Sequence, residues 1–214
     1  MATLSIVSDV VCPWCYIGKH RLFQALDTVR EKHPSAVITI DWLPFELNPE
    51  LPPAGVPRDE YCERKFGTIA RANRIYAEIA ANAQADGLPI KLDRISTTPN
   101  TLSAHRLICY ASRLGQANAV VDGLFRAYFV EGKNIGDKDT LIDIGYLVGL
   151  EANPIRKLLD EEVISNELIA QREQAYDSGA QGVPAFLWNG NWLFIGAQSP
   201  ETIVQIIEQR LNQA

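Results

Sequence analysis

Long apolar runs are missing from this 214-residue chain. None approaches the roughly 18 residues that a membrane-spanning helix needs, so no such helix is expected. Positive charge is also short: 20 Lys and Arg stand against 26 Asp and Glu, for a formal net charge of −6. With a pI near 5.1, that balance argues against nucleic acid or an anionic membrane as the main partner. The first residues lack the basic head and cleavage site of a secretory leader. "TLSIVSDVV" instead reads as a strand from about residue 3, and a cytoplasmic protein is expected. Cysteine is scarce too, with four in all. That is too few for a disulfide scaffold, and in a reducing compartment paired cysteines point to catalysis or metal binding. Repeats and low-complexity tracts are absent.

What remains is an ordinary globular composition, 47% hydrophobic and 21% charged, with enough chain for a substantial core. Residues 3–8 read as a short strand. From Pro13 the pattern turns helical, with Leu22, Ala25, Leu26 and Val29 spaced by three and four. "AVITIDWL" then alternates, with Ile38, Ile40 and Trp42 on one side, as a strand requires. These three elements make a β-α-β unit with parallel strands and a right-handed crossover. The proline-rich "LPFELNPELPPAGVP" marks a boundary. Beyond it, residues 58–85 are helical, and the run ends at Gly87 and Pro89. A helix over 101–115 follows, with Asn100 as its N-cap and Ala104, Leu107, Ile108, Ala111 and Leu114 on one face. Three or four more helical stretches fill 118–178. In "VPAFLWNGNWLFI", Asn189-Gly190 between two β-rich runs signals a hairpin. A last helix carries Ile203, Ile206, Ile207 and Leu211 on one stripe. The fold class is therefore α/β: a β-α-β … β-β-α sandwich, residues 1–55 and 180–214, interrupted by an all-helical insertion domain, 56–179.

The chemistry concentrates at "SDVVCPWCYIG". Cys12 falls where a strand gives way to a helix, and unpaired N–H groups with a partial positive charge there favour thiolate. Cys12 is expected at the exposed tip, with Cys15 one turn in and partly shielded. Cys12 then attacks or is attacked, and Cys15 resolves the mixed disulfide. Pro13 stiffens the turn, and Trp14 offers apolar contact surface near the sulfur. Trp14 brings no charge, so the Cys12 pKa should be less depressed than with histidine at that position. Zinc is disfavoured because tetrahedral coordination needs two more ligands. The other cysteines stand alone, only three histidines are present, and His20 lies about 12 Å up the helix. A redox dithiol is the reading, ahead of a structural bridge, a metal clamp or a binding module with a vestigial pair.

The segment "QGVPAFLW" supplies the other half. Residue statistics favour a trans bond before Pro184, and a proline merely opening a strand is the plain alternative. A cis bond would free the Val183 backbone to pair with an extended substrate. Asp9 is read as a helix cap, with a proton acceptor for Cys15 or a solvated carboxylate as alternatives. Glu46 is read as a surface carboxylate. His105 is a packing or substrate-groove residue, since a cysteine hydrolase would have no use for Cys15. Cys62 and Cys109 are buried free thiols by default.

Cys12-Pro13-Trp14-Cys15 at the start of the β-α-β unit, a helical insertion, and Gly182-Val183-Pro184 before a hairpin resemble the DsbA family of the thioredoxin superfamily. "DVVCPWCYIGKHRL", "WLPFELNP", "PNTLSAHRL", "LFRAYFVEGKNIGD" and "GAQGVPAFLWNGNWLFIGAQSPE" resemble its FrnE-like branch across nearly the whole chain. The resemblance implies a thioredoxin fold and a dithiol–disulfide oxidoreductase or isomerase. Cys12 would be nucleophile, Cys15 resolving thiol and Pro184 cis, with Pro13, Trp14, Val183 and Pro184 against substrate and Asp9, Asn100 and His105 in support. A related branch, the 2-hydroxychromene-2-carboxylate isomerases and kappa-class glutathione transferases, uses serine where this chain has Cys12. The pair Cys12 and Cys15 favours exchange over that alternative. No cofactor or metal is required, and glutathione is admitted as a redox partner. Expected partners are disulfide- or thiol-bearing proteins or small molecules, with no nucleic acid and no membrane; a homodimer is compatible with the reading.

Overall fold

The computed structural model describes residues 1–161 and 163–213. Strand β1 (Ala2–Ser8) leads through helix α1 (Pro13–Lys32) to β2 (Ile38–Pro44), and β1 and β2 pair in parallel with Ile6 opposite Trp42. The hairpin strands β5 (Ala185–Trp188) and β6 (Asn191–Ile195) complete a four-stranded sheet in the order β2-β1-β5-β6. Both β5 pairings are antiparallel, and the β5–β6 register shifts between Phe186 and Leu187. Asn189 and Gly190 both take positive φ, 50° and 77°, as a two-residue primed turn demands.

Between β2 and β5 lie a two-residue ladder, β3 (Val56–Pro57) with β4 (Thr97–Thr98), and, among the described residues, a short 3-10 turn, Leu92–Arg94, and seven α-helices. These are α2 (Arg58–Phe66), α3 (Ile69–Ala85), α4 (Leu102–Ser112), α5 (Ala117–Phe129), α6 (Lys138–Leu147), α7 (Ala152–Asp160) and α8 (Asn166–Asp177); α9 (Pro200–Leu211) closes the chain. The ladder is too short to leave a period in the sequence. The expected 58–85 helix breaks in two at Gly67, whose φ of 84° closes α2. The expected 101–115 helix stops at Ser112, so Leu114 lies beyond it and is exposed rather than on its buried face.

The sheet alternates as a pleated surface must. Leu4, Ile6, Trp42, Phe186 and Trp188 join a large core with Leu22, Leu26, Ile203 and Ile207 of α1 and α9. Val7, Leu43, Ala185 and Leu187 form a second cluster with Ala175 of α8. The large core continues without a break into α4 and α5 through Leu107, Leu124 and Phe125. Tyr16 of α1 stacks on both Phe125 and Phe129, with ring centroids 5.1 and 5.6 Å away. The inserted helices are thereby packed directly against the helix that starts at Cys12.

Candidate active site

The N-terminus of α1 is built as its sequence directs. Cys12 is the N-cap residue in extended conformation, φ −87° and ψ 114°, and Pro13 occupies the first helical position, where a missing N–H costs nothing. The Cys12 N–H bonds back to the Asp9 carbonyl at 3.1 Å, and the Cys15 and Tyr16 N–H groups close on the Cys12 carbonyl. Cys12 and Cys15 are both free thiols.

The expected exposed tip is corrected. Cys12 is only 6% exposed and Cys15 1%, while Trp14 beside them is 36% exposed. The reason is the Val183–Pro184 segment, which closes over the pair. That bond is cis, as the resemblance implied, and the Cys12 thiol donates to the Val183 carbonyl across 3.8 Å. Gly18 permits this closeness: a Cβ there would stand 2.9 Å from Pro184 Cγ and 3.6 Å from Phe186 Cζ. Sequence reasoning missed Gly18. A glycine inside a helical pattern, one turn from the dithiol, was the available signal.

The two sulfurs are polarised in opposite directions. The Cys15 side chain hydrogen-bonds Cys12 and lowers its pKa below the ordinary thiol value, with help from the Cys15 and Trp14 N–H groups; burial and the Asp9 charge work against them. Burial pushes Cys15 well above the ordinary value, reinforced by Cys12, with the Ser8 hydroxyl and the Asp9 backbone pulling the other way. Of the two, Cys12 is the sulfur that gives up its proton first and Cys15 the one that holds it, which suits an attacking thiol with a resolving partner behind it.

The surrounding carboxylates differ from expectation. Asp9 neither caps α1 with its side chain nor meets solvent. It is fully buried, and Oδ2 accepts from the Leu47 N–H at 2.7 Å. The Asp9 backbone carbonyl has taken the Cys12 N–H, which frees the carboxylate to turn inward. Glu46, expected at the surface, is buried and paired at 3.1 Å with Arg172 of α8. The pair fixes the β2 exit loop that supplies Leu47. Asn100 is not the formal N-cap of α4, which is Thr101, but its Oδ1 accepts from Leu102 N–H at 2.9 Å, and its amide donates to the Leu51 carbonyl. His105 is neither at the surface nor packed among apolar groups alone: its Nε2 lies 3.5 Å from Asp9 Oδ1. Cys62 and Cys109 are buried and far from the dithiol in the sequence, and burial pushes the Cys109 thiol up to about 11. Among the described residues no group of three or more His, Cys, Asp or Glu is placed to hold a metal ion, and no helix is long and apolar enough to cross a membrane.

Residues 3–208 match the family model of the DSBA-like thioredoxin domain. The chain belongs to that family. A structure described as a probable DsbA oxidoreductase from Streptomyces coelicolor superposes with a TM-score of 0.89 at 27% identity, covering 100% of this chain and 92% of that one. The uncharacterised protein YwbO of Bacillus subtilis is 25% identical over 86% of this chain and 85% of its own length. The cytosolic disulfide reductase DsbM of Pseudomonas aeruginosa, solved with GSH, shares the fold at a TM-score of 0.67 and 18% identity, covering 98% of this chain and 99% of that one. In this chain the two cysteines stand at the start of α1, and Pro184 is the residue before β5.

Proposed function

We propose that this DSBA-like protein is a thiol–disulfide oxidoreductase and isomerase of the FrnE-like kind, working in the cytoplasm by mixed-disulfide exchange through Cys12 and Cys15. The observation that carries the reading is the pair of free thiols at the N-terminus of α1, with Cys12 Sγ 3.8 Å from the Val183 carbonyl; the opposed polarisation of the two sulfurs agrees with it. In the reducing direction the Cys12 thiolate attacks a substrate disulfide. One substrate sulfur becomes bonded to Cys12 and the other leaves as thiolate. Cys15 then attacks Cys12, closes the Cys12–Cys15 disulfide and expels the second substrate thiolate. Glutathione regenerates the dithiol by the same steps in reverse. A cytosolic glutathione poise of roughly −220 to −320 mV keeps a more oxidising pair mostly reduced, which favours reductase or isomerase turnover over net oxidation.

The Val183 backbone and the exposed Trp14 ring are the substrate contacts in this reading, the first by main-chain pairing and the second by apolar surface. The experiment is a Cys15→Ser variant expressed in the cytosol, acid-quenched, alkylated and run without reductant. Adducts through Cys12 that vanish with dithiothreitol are expected. Their absence, together with glutathione-dependent isomerisation of a chromene substrate that survives Cys15→Ser, would replace exchange by the glutathione-dependent isomerase or transferase alternative.

A further inference from the structure

In the exchange reading the Val183 backbone pairs with substrate beside Cys12, so its placement has to be held. The chain arrives there from α8, a helix with little core of its own. Among its twelve residues only Leu168 and Ala175 are buried, against seven of thirteen in α5. Ala175 sits in the small cluster of Val7, Leu43, Ala185 and Leu187, on which Phe45, Ala180 and Val183 also pack. The turn after α8 is closed on the helix itself. The Ser178 hydroxyl donates to the Ala175 carbonyl at 2.6 Å and accepts from the Ala180 N–H at 3.3 Å, and Gly179 takes a φ of 75°. A shift of α8 is therefore passed on toward Val183 instead of being absorbed in a slack loop.

Two side chains one turn apart on α8, Arg172 and Tyr176, share a face of the helix and meet successive residues of the β2 exit loop. Arg172 reaches Glu46 Oε1 at 3.1 Å, and the Tyr176 ring lies against Phe45 with centroids 5.8 Å apart. The Glu46 side chain is 5% exposed and has no second ion-pair partner among the described residues. A buried carboxylate is costly to leave unpaired, so this contact resists being pulled apart. At the far end of α8 the exposed pair Arg113–Glu167, at 3.2 Å, adds little. The loop that does the holding is itself tied to the strand before Cys12, because the Phe45 N–H bonds the Ser8 carbonyl at 3.0 Å. We propose that Glu46 and Arg172, with Phe45 and Tyr176 beside them, are positioning residues for exchange: they clasp α8 to the β2 exit loop and so hold the Val183 backbone where an extended substrate pairs with it. The inference rests on the exchange reading. The clasp acts through Val183 and not on the sulfurs, so it matters to substrates with a peptide main chain and not to small disulfides.

The test uses the full chain and two disulfides. One is a short peptide whose single cysteine is bonded to mercaptoethanol; the other is hydroxyethyl disulfide, which has no peptide groups to pair with Val183. Glu46→Gln and Arg172→Gln should each slow reaction with the peptide about tenfold and leave the small disulfide within about twofold, as a misplacement of a fraction of an ångström predicts. The double variant should be no slower than the slower single one, and Arg172→Lys, which keeps the cation, should recover most of the rate. Without substrate, the carbonyl-carbon NMR resonance of Val183 should shift in both Gln variants and return toward its original position in Arg172→Lys. Tyr176→Leu, at a half-exposed position, leaves no charge unpaired and serves where a Gln variant does not fold. It should give a smaller fall in the same peptide-to-small ratio and move the same resonance. Equal losses with both disulfides, an unchanged ratio, or a lowered ratio with the Val183 resonance in place would overturn the proposal. An unaltered protein that reacts with neither disulfide would instead overturn the exchange reading itself.

Discussion

A side chain at Gly18 would collide with the proline that faces the dithiol, and the collision can be worked through. A Cβ built there stands 2.9 Å from Pro184 Cγ, where ordinary contact begins at 3.4 Å. Something must therefore move by about half an ångström. The proline ring is stiff, and Phe186 lies behind it at 3.6 Å from the same Cβ. In Gly18→Ala two effects compete. Replacing glycine by alanine inside a helix stabilises by about 1 kcal/mol, whereas overpacking a core costs about 1–3 kcal/mol. The net expectation is a loss of about 0–2 kcal/mol, read from urea denaturation of the reduced protein. The kinetic effect should be larger in proportion. A misplacement of about 1 Å can cost a hundredfold in a positioned reaction, so half of that predicts about a tenfold slower exchange with glutathione disulfide. A variant that gains the full 1 kcal/mol and exchanges at the original rate would refute the reasoning, because the Cβ would then have found space without moving Pro184.

Two further outcomes follow from the polarised sulfurs. Cys15→Ala removes the contact that most lowers the Cys12 pKa, while Cys15→Ser keeps a donor in place. A hydrogen bond to a charged acceptor contributes about 1.5–3 kcal/mol, so iodoacetamide should alkylate Cys12 at neutral pH about tenfold more slowly in the Ala variant than in the Ser variant; equal rates would assign the effect to another donor. Stability of the reduced protein should also carry the pair's signature, measured against a Cys12→Ala/Cys15→Ala double variant. With its folded pKa depressed, Cys12 adds stability as pH rises from that value toward the unfolded thiol's roughly 8.5. With its folded pKa raised, Cys15 takes stability away as pH climbs above about 8.5 toward the folded value. The difference should peak near the ordinary thiol pKa, and a monotonic curve would contradict the opposed shifts.

The features legible in the sequence are those written in neighbouring residues. The dithiol at a strand-to-helix junction needs only "VVCPWC", and the hairpin needs only Asn189-Gly190 between two apolar runs. The same locality explains the errors. Asp9 looks like a cap because it stands three residues before Cys12, but Cys12 itself is the N-cap residue and the Asp9 carboxylate answers to Leu47 and His105. Glu46 looks like surface because its partner, Arg172, is far along the chain on α8. Cys12 looks exposed because nothing in its own segment announces that Val183 and Pro184 will cover it. Each error concerns a group whose environment is completed by a distant element, and no period or motif carries that information. One signal was present: Ser8 and Asp9 interrupt an otherwise apolar stretch that has to be buried, which sets polar groups in the core and demands partners for them.

Much of what covers the sheet and α1 comes from the helices between β2 and β5, so the sheet with α1 and α9 should not stand alone. Tyr16 is buried by stacking on Phe125 and Phe129, and the Trp42 indole donates to Asn118 Oδ1 at 2.7 Å. Val7 and Leu43 share their cluster with Ala175 of α8. Fully burying a large apolar side chain contributes about 1.5–3 kcal/mol, so exposing these four forfeits about 6–12 kcal/mol. A whole domain is stable by only about 5–15 kcal/mol. Replacing residues 58–179 with a short glycine-serine linker should therefore give a chain without near-ultraviolet circular dichroism or a cooperative urea transition. A cooperatively folding chain with rapid Cys12 alkylation at neutral pH would show that the dithiol and its frame are sufficient, and that the inserted helices only decorate them. The buried contacts argue the opposite: the helix that begins at Cys12 is held in place by residues that the chain does not supply until more than a hundred positions later.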